Sequence, residues 1–184
     1  MGDTYPHIDG GLAEFLAAQH VFFVATAPLA ADGHVNLSPK GLDTFRVVDP
    51  HTVAYLDLTG SGIETVAHLR ENGRIVLCFC AFEGPPRIVR LHGRGEVLEP
   101  SAPDFAQLHA LFPPLDGVRS MIRVELRRIA DSCGYAVPLM RFENDRRQLL
   151  AWSAKKGPAG VAGYQATKNR RSLDGLPGLK PRGE

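Results

Sequence analysis

The sequence predicts a mainly β domain of the α+β class, an antiparallel barrel, closed or nearly so, of about six strands with helices at its flanks. Three observations lead there. Short alternating or β-branched runs recur along the chain and are joined by turn residues, as in Asp32-Gly33 and Glu83-Gly84-Pro85-Pro86. Only one or two helical stretches interrupt these runs, too few to supply the crossovers of a parallel sheet. At 184 residues the chain is long enough for one domain with a real core and short for two.

Leu12, Phe15 and Leu16 lie at helical spacing between Asp9 and His20 and mark a short amphipathic opening helix. Val21 to Ala27 reads as a strand, Asp32-Gly33 as a hairpin turn and His34 to Lys40 as the returning strand. Gly41 to Val47 reads as a surface loop. Val53 to Leu58 is a third strand, followed by a helix over Glu64 to Asn72 that Gly73 closes. Arg74 to Phe82 and Arg87 to Leu98 form a second hairpin, because Pro85-Pro86 forces a turn between them. Phe105, Leu108, Leu111 and Phe112 mark a helix ended by Pro113-Pro114, and Met121 to Ile129 alternates as the last strand. From Phe142 the pattern turns helical, through Leu149, Leu150, Trp152 and Ala154 to a break at Lys155-Lys156-Gly157, and again over Val161 to Lys168. This quarter is expected to pack on the barrel or on another subunit, with Trp152 in the packing. A Pro/Gly-rich tail, Leu176 to Gly183, ends the pattern.

Composition excludes several roles. With 21 basic and 20 acidic residues the net charge is +1, which offers no general attraction for nucleic acid or an acidic membrane surface. No apolar run approaches a bilayer-spanning length, and no basic-then-apolar leader opens the chain. Cys78, Cys80 and Cys133 are odd in number and lack metal-ligand spacing, which points to free thiols in a reducing compartment, by default the cytoplasm. The seven histidines are scattered without ligand spacing, so no metal site is expected.

The chemistry-bearing feature is the junction Leu58-Thr59-Gly60-Ser61-Gly62-Ile63-Glu64-Thr65. An apolar strand breaks on two glycines and runs into a helix, whose first N–H groups carry partial positive charge. Thr59, Ser61 and Thr65 add hydroxyls, and Gly60 and Gly62 permit a tight turn. An anion is the natural ligand. Ser61 followed by Glu64 is also a capping box, which would use the same groups only to finish the helix. The glycine pattern is neither a Rossmann fingerprint nor a Walker loop. Ser38-Pro39-Lys40 brings a hydroxyl and a cation on a neighbouring strand, and Arg87, Arg90 and Arg94 add guanidiniums, with Arg90 and Arg94 on one face and Arg87 on the other. No nucleophile with a base partner and no carboxylate pair is visible, so no catalytic residue can be named. An anion site without such apparatus suits a protein whose bound cofactor carries the reaction.

The ordered segments Val35-Asn36-Leu37-Ser38-Pro39-Lys40-Gly41, Ala54 to Gly62, His68-Leu69-Arg70-Glu71-Asn72-Gly73-Arg74-Ile75-Val76-Leu77 and Arg87-Ile88-Val89-Arg90-Leu91-His92-Gly93-Arg94-Gly95 resemble the pyridoxamine 5′-phosphate oxidase-related flavin-binding family over roughly residues 20 to 130. The resemblance implies a six-stranded split β-barrel over residues 1–132, a C-terminal helical segment over 133–184, and a homodimer with FMN in the cleft between subunits. It places Asn36, Leu37, Ser38, Pro39 and Lys40 along the flavin, Leu58 and Thr59 against it, and the phosphate at the start of the Ile63 to Asn72 helix. Members that oxidise pyridoxamine phosphate carry an Arg-Lys pair where Glu64-Thr65 stands here, and their C-terminal substrate signature is replaced by Arg170 to Pro177. The phosphate would then lean on backbone N–H groups, Ser61, Thr65, Lys40 or Arg87. Three functions follow: an FMN-dependent oxidoreductase acting on a small molecule other than pyridoxamine phosphate, a non-catalytic module for FMN, a deazaflavin or haem, and a cofactor-free dimeric interaction protein.

Overall fold

The structure, a computed structural model, describes residues 2–181. Its elements in chain order are β1 (Thr4–Tyr5), α1 (Gly10–Ala17), β2 (Phe22–Thr26), β3 (Asn36–Lys40), β4 (Phe45–Asp49), β5 (Thr52–Leu58), α2 (Glu64–Asn72), β6 (Arg74–Cys80), β7 (Ile88–Leu98), α3 (Phe105–His109), β8 (Val118–Ser132) and α4 (Gln148–Lys168). All strands are antiparallel neighbours in one eight-stranded sheet, ordered β3-β2-β6-β7-β8-β5-β4 with β1 added to β8. The expectation of six strands therefore misses two. β1 is only two residues long, below any periodicity, and β4 hides in the stretch read as a loop.

The sheet is not a closed ladder, since β3 and β4 stand at its two ends without pairing. Side chains bring those ends together instead. Phe22 on β2 lies 5.5 Å from Phe45 on β4, ring to ring, Phe45 is 4.9 Å from Phe79, and Lys40 on β3 reaches Asp57 on β5. The chain crosses this gap in the corner Gly41 to Thr44, where Leu42 takes the left-handed conformation (φ 59°) and Thr44 Oγ1 donates to Gly41 O. Asp32-Gly33 is not a tight hairpin turn: β2 ends at Thr26 and β3 begins at Asn36, so the pair sits inside a longer loop.

Alternation along β2, β6, β7 and β8 buries Phe22, Val24, Leu77, Phe79, Leu91, Ile122 and Val124 inside the curl, with Val53 and Tyr55 from β5. The outer face of β5 and β8 forms a smaller core, in which Ala54, Leu56 and Met121 pack against Leu108 and Phe112 of the α3 region. α1 begins with Asp9 accepting from the Leu12 N–H and buries Leu12 and Leu16, as its spacing requires. α2 ends on Gly73 (φ 69°), which supplies the left-handed cap. α4 breaks at Gly157, and Pro158 starts its second half; Trp152 and Tyr164 pack edge to face across the break, at 5.0 Å. No helix among the described residues is long and apolar enough to cross a membrane.

Gly93 is required by the packing of β7 on β8. A β-bulge shifts the β7–β8 register between His92 and Gly93, and a Cβ at Gly93 would stand 2.3 Å from the Glu125 carbonyl oxygen. Gly93→Ala is therefore expected to destabilise the fold by about 2 kcal/mol or more. A urea midpoint equal to that of the parent protein would contradict this reading.

Candidate functional site

Asp57 ends the inward face of β5 and has no exposed surface. Its Oδ1 accepts from Lys40 Nζ at 3.0 Å, and its Oδ2 from Arg119 Nε at 2.7 Å and Ser120 Oγ at 3.3 Å. Burial by itself would raise the Asp57 pKa, but Lys40 and Arg119 outweigh it and hold the carboxyl at about 2. Arg119 then continues into the junction, where its Nη1 donates to Gly62 O at 2.7 Å and to Gly60 O at 3.3 Å. From the end of α4, Asn169 Nδ2 donates to Gly60 O at 2.8 Å and to Ser61 O at 3.4 Å. Thr59 is tied to Gly117 O through its backbone N–H and its hydroxyl, and it accepts from Gln165 Nε2 at 2.8 Å.

The capping-box alternative is not realised. α2 starts at Glu64, its N-cap is Ile63, and no side chain caps it. Glu64 reaches the tail, where its Oε1 accepts from the Leu173 N–H, and its other oxygen lies 2.4 Å from where a Gly62 Cβ would stand. Ser61 and Gly62 are exposed, and the N–H groups of Ser61, Gly62 and Ile63 have no hydrogen-bond partner among the described residues.

Alternation along β3 sorts the expected strand residues. Asn36 Nδ2 donates to Thr65 Oγ1 at 3.0 Å and Ser38 Oγ donates to Asn36 Oδ1 at 3.0 Å, so Asn36, Ser38 and Thr65 form one run of hydrogen bonds, while Lys40 turns to the Asp57 carboxylate. Leu37 and Pro39 take the opposite face and are exposed. Leu58 packs in the outer core, and Thr59 is committed to Gly117 and Gln165. Arg87 is not brought in: it bonds Asp131 and the Tyr5 hydroxyl and lies over the Phe15 ring. Behind the site His68 is fully buried and shares a 2.9 Å hydrogen bond with Thr26 Oγ1; burial lowers its pKa, which keeps it neutral. The Tyr55 hydroxyl is buried without a partner among the described residues, and desolvation pushes its pKa well above its ordinary value. Burial also raises the Cys78 thiol to about 11, so it is no ready nucleophile. No group of three metal-ligating side chains occurs among the described residues.

Asp57, Arg119, Gln165 and Asn169 are the residues that sequence reading missed. Asp57 left one signal, a single charge inside the apolar run Val53 to Leu58, which obliges a buried cation. Arg119 fell before the expected start of the last strand, and β8 in fact begins at Val118.

The frame is an antiparallel split sheet whose strand-to-helix junction leaves three successive amides without a partner among the described residues. The chain belongs to the pyridoxamine 5′-phosphate oxidase family, whose model matches residues 8–133. It is 38% identical to the pyridoxamine 5′-phosphate oxidase family protein ustO of Aspergillus flavus, over 95% of this chain and 77% of that one. HupZ of Group A Streptococcus shares the fold, with a TM-score of 0.52, 24% identity and coverage of 66% of this chain and 91% of that one. A candidate pyridoxamine 5′-phosphate oxidase of Lactobacillus delbrueckii gives a TM-score of 0.51 at 18% identity, over 70% of this chain and 97% of that one.

The low Asp57 pKa has a pH consequence. A carboxyl near 2 in the fold and near 3.8 when unfolded stabilises the protein above pH 4, and that contribution is lost as pH falls toward 2. The shift corresponds to on the order of 2 kcal/mol. Asp57→Asn, which strands a buried Arg119, is expected to cost about 3–5 kcal/mol at neutral pH and to flatten the acid limb of the stability curve. Urea midpoints taken from pH 2 to 7 check both parts, and a variant that keeps the parental acid slope would refute the assignment.

Proposed function

We propose that the protein is an FMN-binding oxidoreductase of this family, working as a homodimer whose second subunit completes the flavin cleft. The observation that carries this reading is the Ser61-Gly62-Ile63 turn, whose amides have no partner among the described residues and carry the exposed Ser61 with them, while the partly exposed Lys40 lies on the neighbouring Asp57. A phosphate monoester fits such a set: several N–H donors, a hydroxyl and one cation. Lys40 and Ser61 would hold the phosphate, and Asn36 and Ser38 would face the rest of the molecule from β3. When bound, FMN supplies hydride or single-electron transfer at its ring. The chain's own part is to bind and orient it. No pyridoxamine phosphate oxidase activity is proposed, because Glu64-Thr65 replaces the basic pair. The free thiols Cys78, Cys80 and Cys133 suit a reducing compartment, and we place the protein in the cytoplasm. The barrel and the segment from 133 onward are taken as the two functional parts.

A second reading, a module that holds FMN, a deazaflavin or haem without turnover, has one observation in its favour. The titratable groups around the junction are committed or silent: Asp57 is ion-paired, His68 neutral and Tyr55 buried. Anaerobic reduction of loaded protein by NADH or NADPH separates the two, since a storage module leaves the flavin oxidised.

Fluorescence titration is expected to show FMN bound more tightly than riboflavin, which lacks the phosphate. Lys40→Ala should weaken FMN about tenfold. Glu64→Gln should tighten it severalfold, because a negative charge leaves the anion site. Protein that takes up neither flavin, with both variants silent, would end this proposal.

A further inference from the structure

Three successive carbonyl oxygens of the β5–α2 junction turn into the protein. Gly60 O is held by Asn169 and Arg119, Ser61 O by Asn169, and Gly62 O by Arg119. A trans peptide is planar and carries its C=O and N–H on opposite sides. Each tethered carbonyl therefore decides where the next residue's N–H points, and those are the amides of Ser61, Gly62 and Ile63. Glycine at positions 60 and 62 allows these peptides to flip at little cost, so the turn sequence alone selects no orientation. The tethers select it.

The structure assigns Arg119 and Asn169 as positioning residues that fix the orientation of the Ser61, Gly62 and Ile63 amides, with the exposed Ser61 and Gly62 presenting theirs to a phosphate or similar oxyanion. The identity of that ligand as FMN rests on the function proposed above; the amide orientation does not. Both residues are built for the task. Arg119 is buried and anchored at its Nε by Asp57, which leaves Nη1 for the carbonyls. Asn169 has no exposed surface and is fixed by its backbone, whose N–H donates to Gln165 O and whose C=O accepts from Leu179 N–H. Asn169 also lies beyond residues 8–133, so the C-terminal segment takes part in the anion site of its own chain. Its Oδ1 is buried without a partner, so the residue is kept there for its donor.

The test is amide chemical-shift titration of the full chain with inorganic phosphate, and separately with FMN and riboflavin. In the parent protein the Ser61, Gly62 and Ile63 amides are expected to shift saturably with phosphate. Asn169→Ala should weaken phosphate and FMN about tenfold while leaving riboflavin affinity nearly unchanged, an effect of lost orientation and not of lost charge. Arg119→Lys, which keeps the Asp57 pair but not the fork onto both carbonyls, should do the same and stands in if the first variant does not fold. Parental phosphate affinity in both variants, or phosphate shifts confined to other amides, overturns the inference. Phosphate shifts on these three amides in a protein that takes up no flavin would support it and instead remove the FMN reading.

Discussion

A carboxylate with no exposed surface must be paired, and around Asp57 that requirement organises much of the molecule. The side chain ends the inward face of β5, at the mouth of a curled sheet whose two edges never pair. Lys40 comes to it from β3, one end of the sheet, and Arg119 from the start of β8. One buried charge thus ties a free edge of the sheet to its interior and holds the guanidinium that controls the neighbouring junction. The low Asp57 pKa expresses the same balance: attraction from two cations exceeds the penalty of burial. Replacing such a cluster with well-packed apolar groups conserves stability in many folds. Here it would release the carbonyls of Gly60 and Gly62, and with them the orientation of the turn.

The division of labour at the junction follows from that cluster. Glycines make the turn possible, buried donors choose its direction, and the amides left over face outward. Glu64 is the counterweight. Its carboxylate accepts from the Leu173 N–H and lies close to Gly62, so the turn carries a negative charge of its own. The tail supports this arrangement from outside. Arg70 bonds the Gly178 carbonyl, Leu179 enters the main core, and Asp174 accepts from the backbone N–H of His34 at 2.9 Å. The segment after β8 is therefore joined to the barrel beside the β5–α2 junction.

Much of this was legible from residues 10 to 129. The amphipathic opening helix, the β6–β7 hairpin forced by Pro85-Pro86, the glycine-capped α2 and the break at Gly157 all rest on local rules, and local rules hold within a few residues. β1 and β4 escaped because two residues have no period and because Phe45-Arg46-Val47-Val48-Asp49 follows a corner set by Leu42 in an uncommon conformation. Of the candidate residues, Asn36, Ser38 and Thr65 are joined in one run of hydrogen bonds and Lys40 pairs with Asp57. Arg87 is not among them, since its strand end faces α1 and Asp131 instead.

By itself the sequence determined the antiparallel class, the family, and the chemistry of the turn, because hydrophobic period, turn residues and short ordered motifs are properties of neighbours along the chain. Only the tertiary structure decided that the barrel is left open, that Asp57 is the charge on which the site hangs, and that Arg119 and Asn169 aim the amides. Those are contacts of residues 57 to 62 with Arg119 and Asn169, as many as 109 positions apart in the case of Asn169 with Gly60, and no local pattern encodes a partner at that distance.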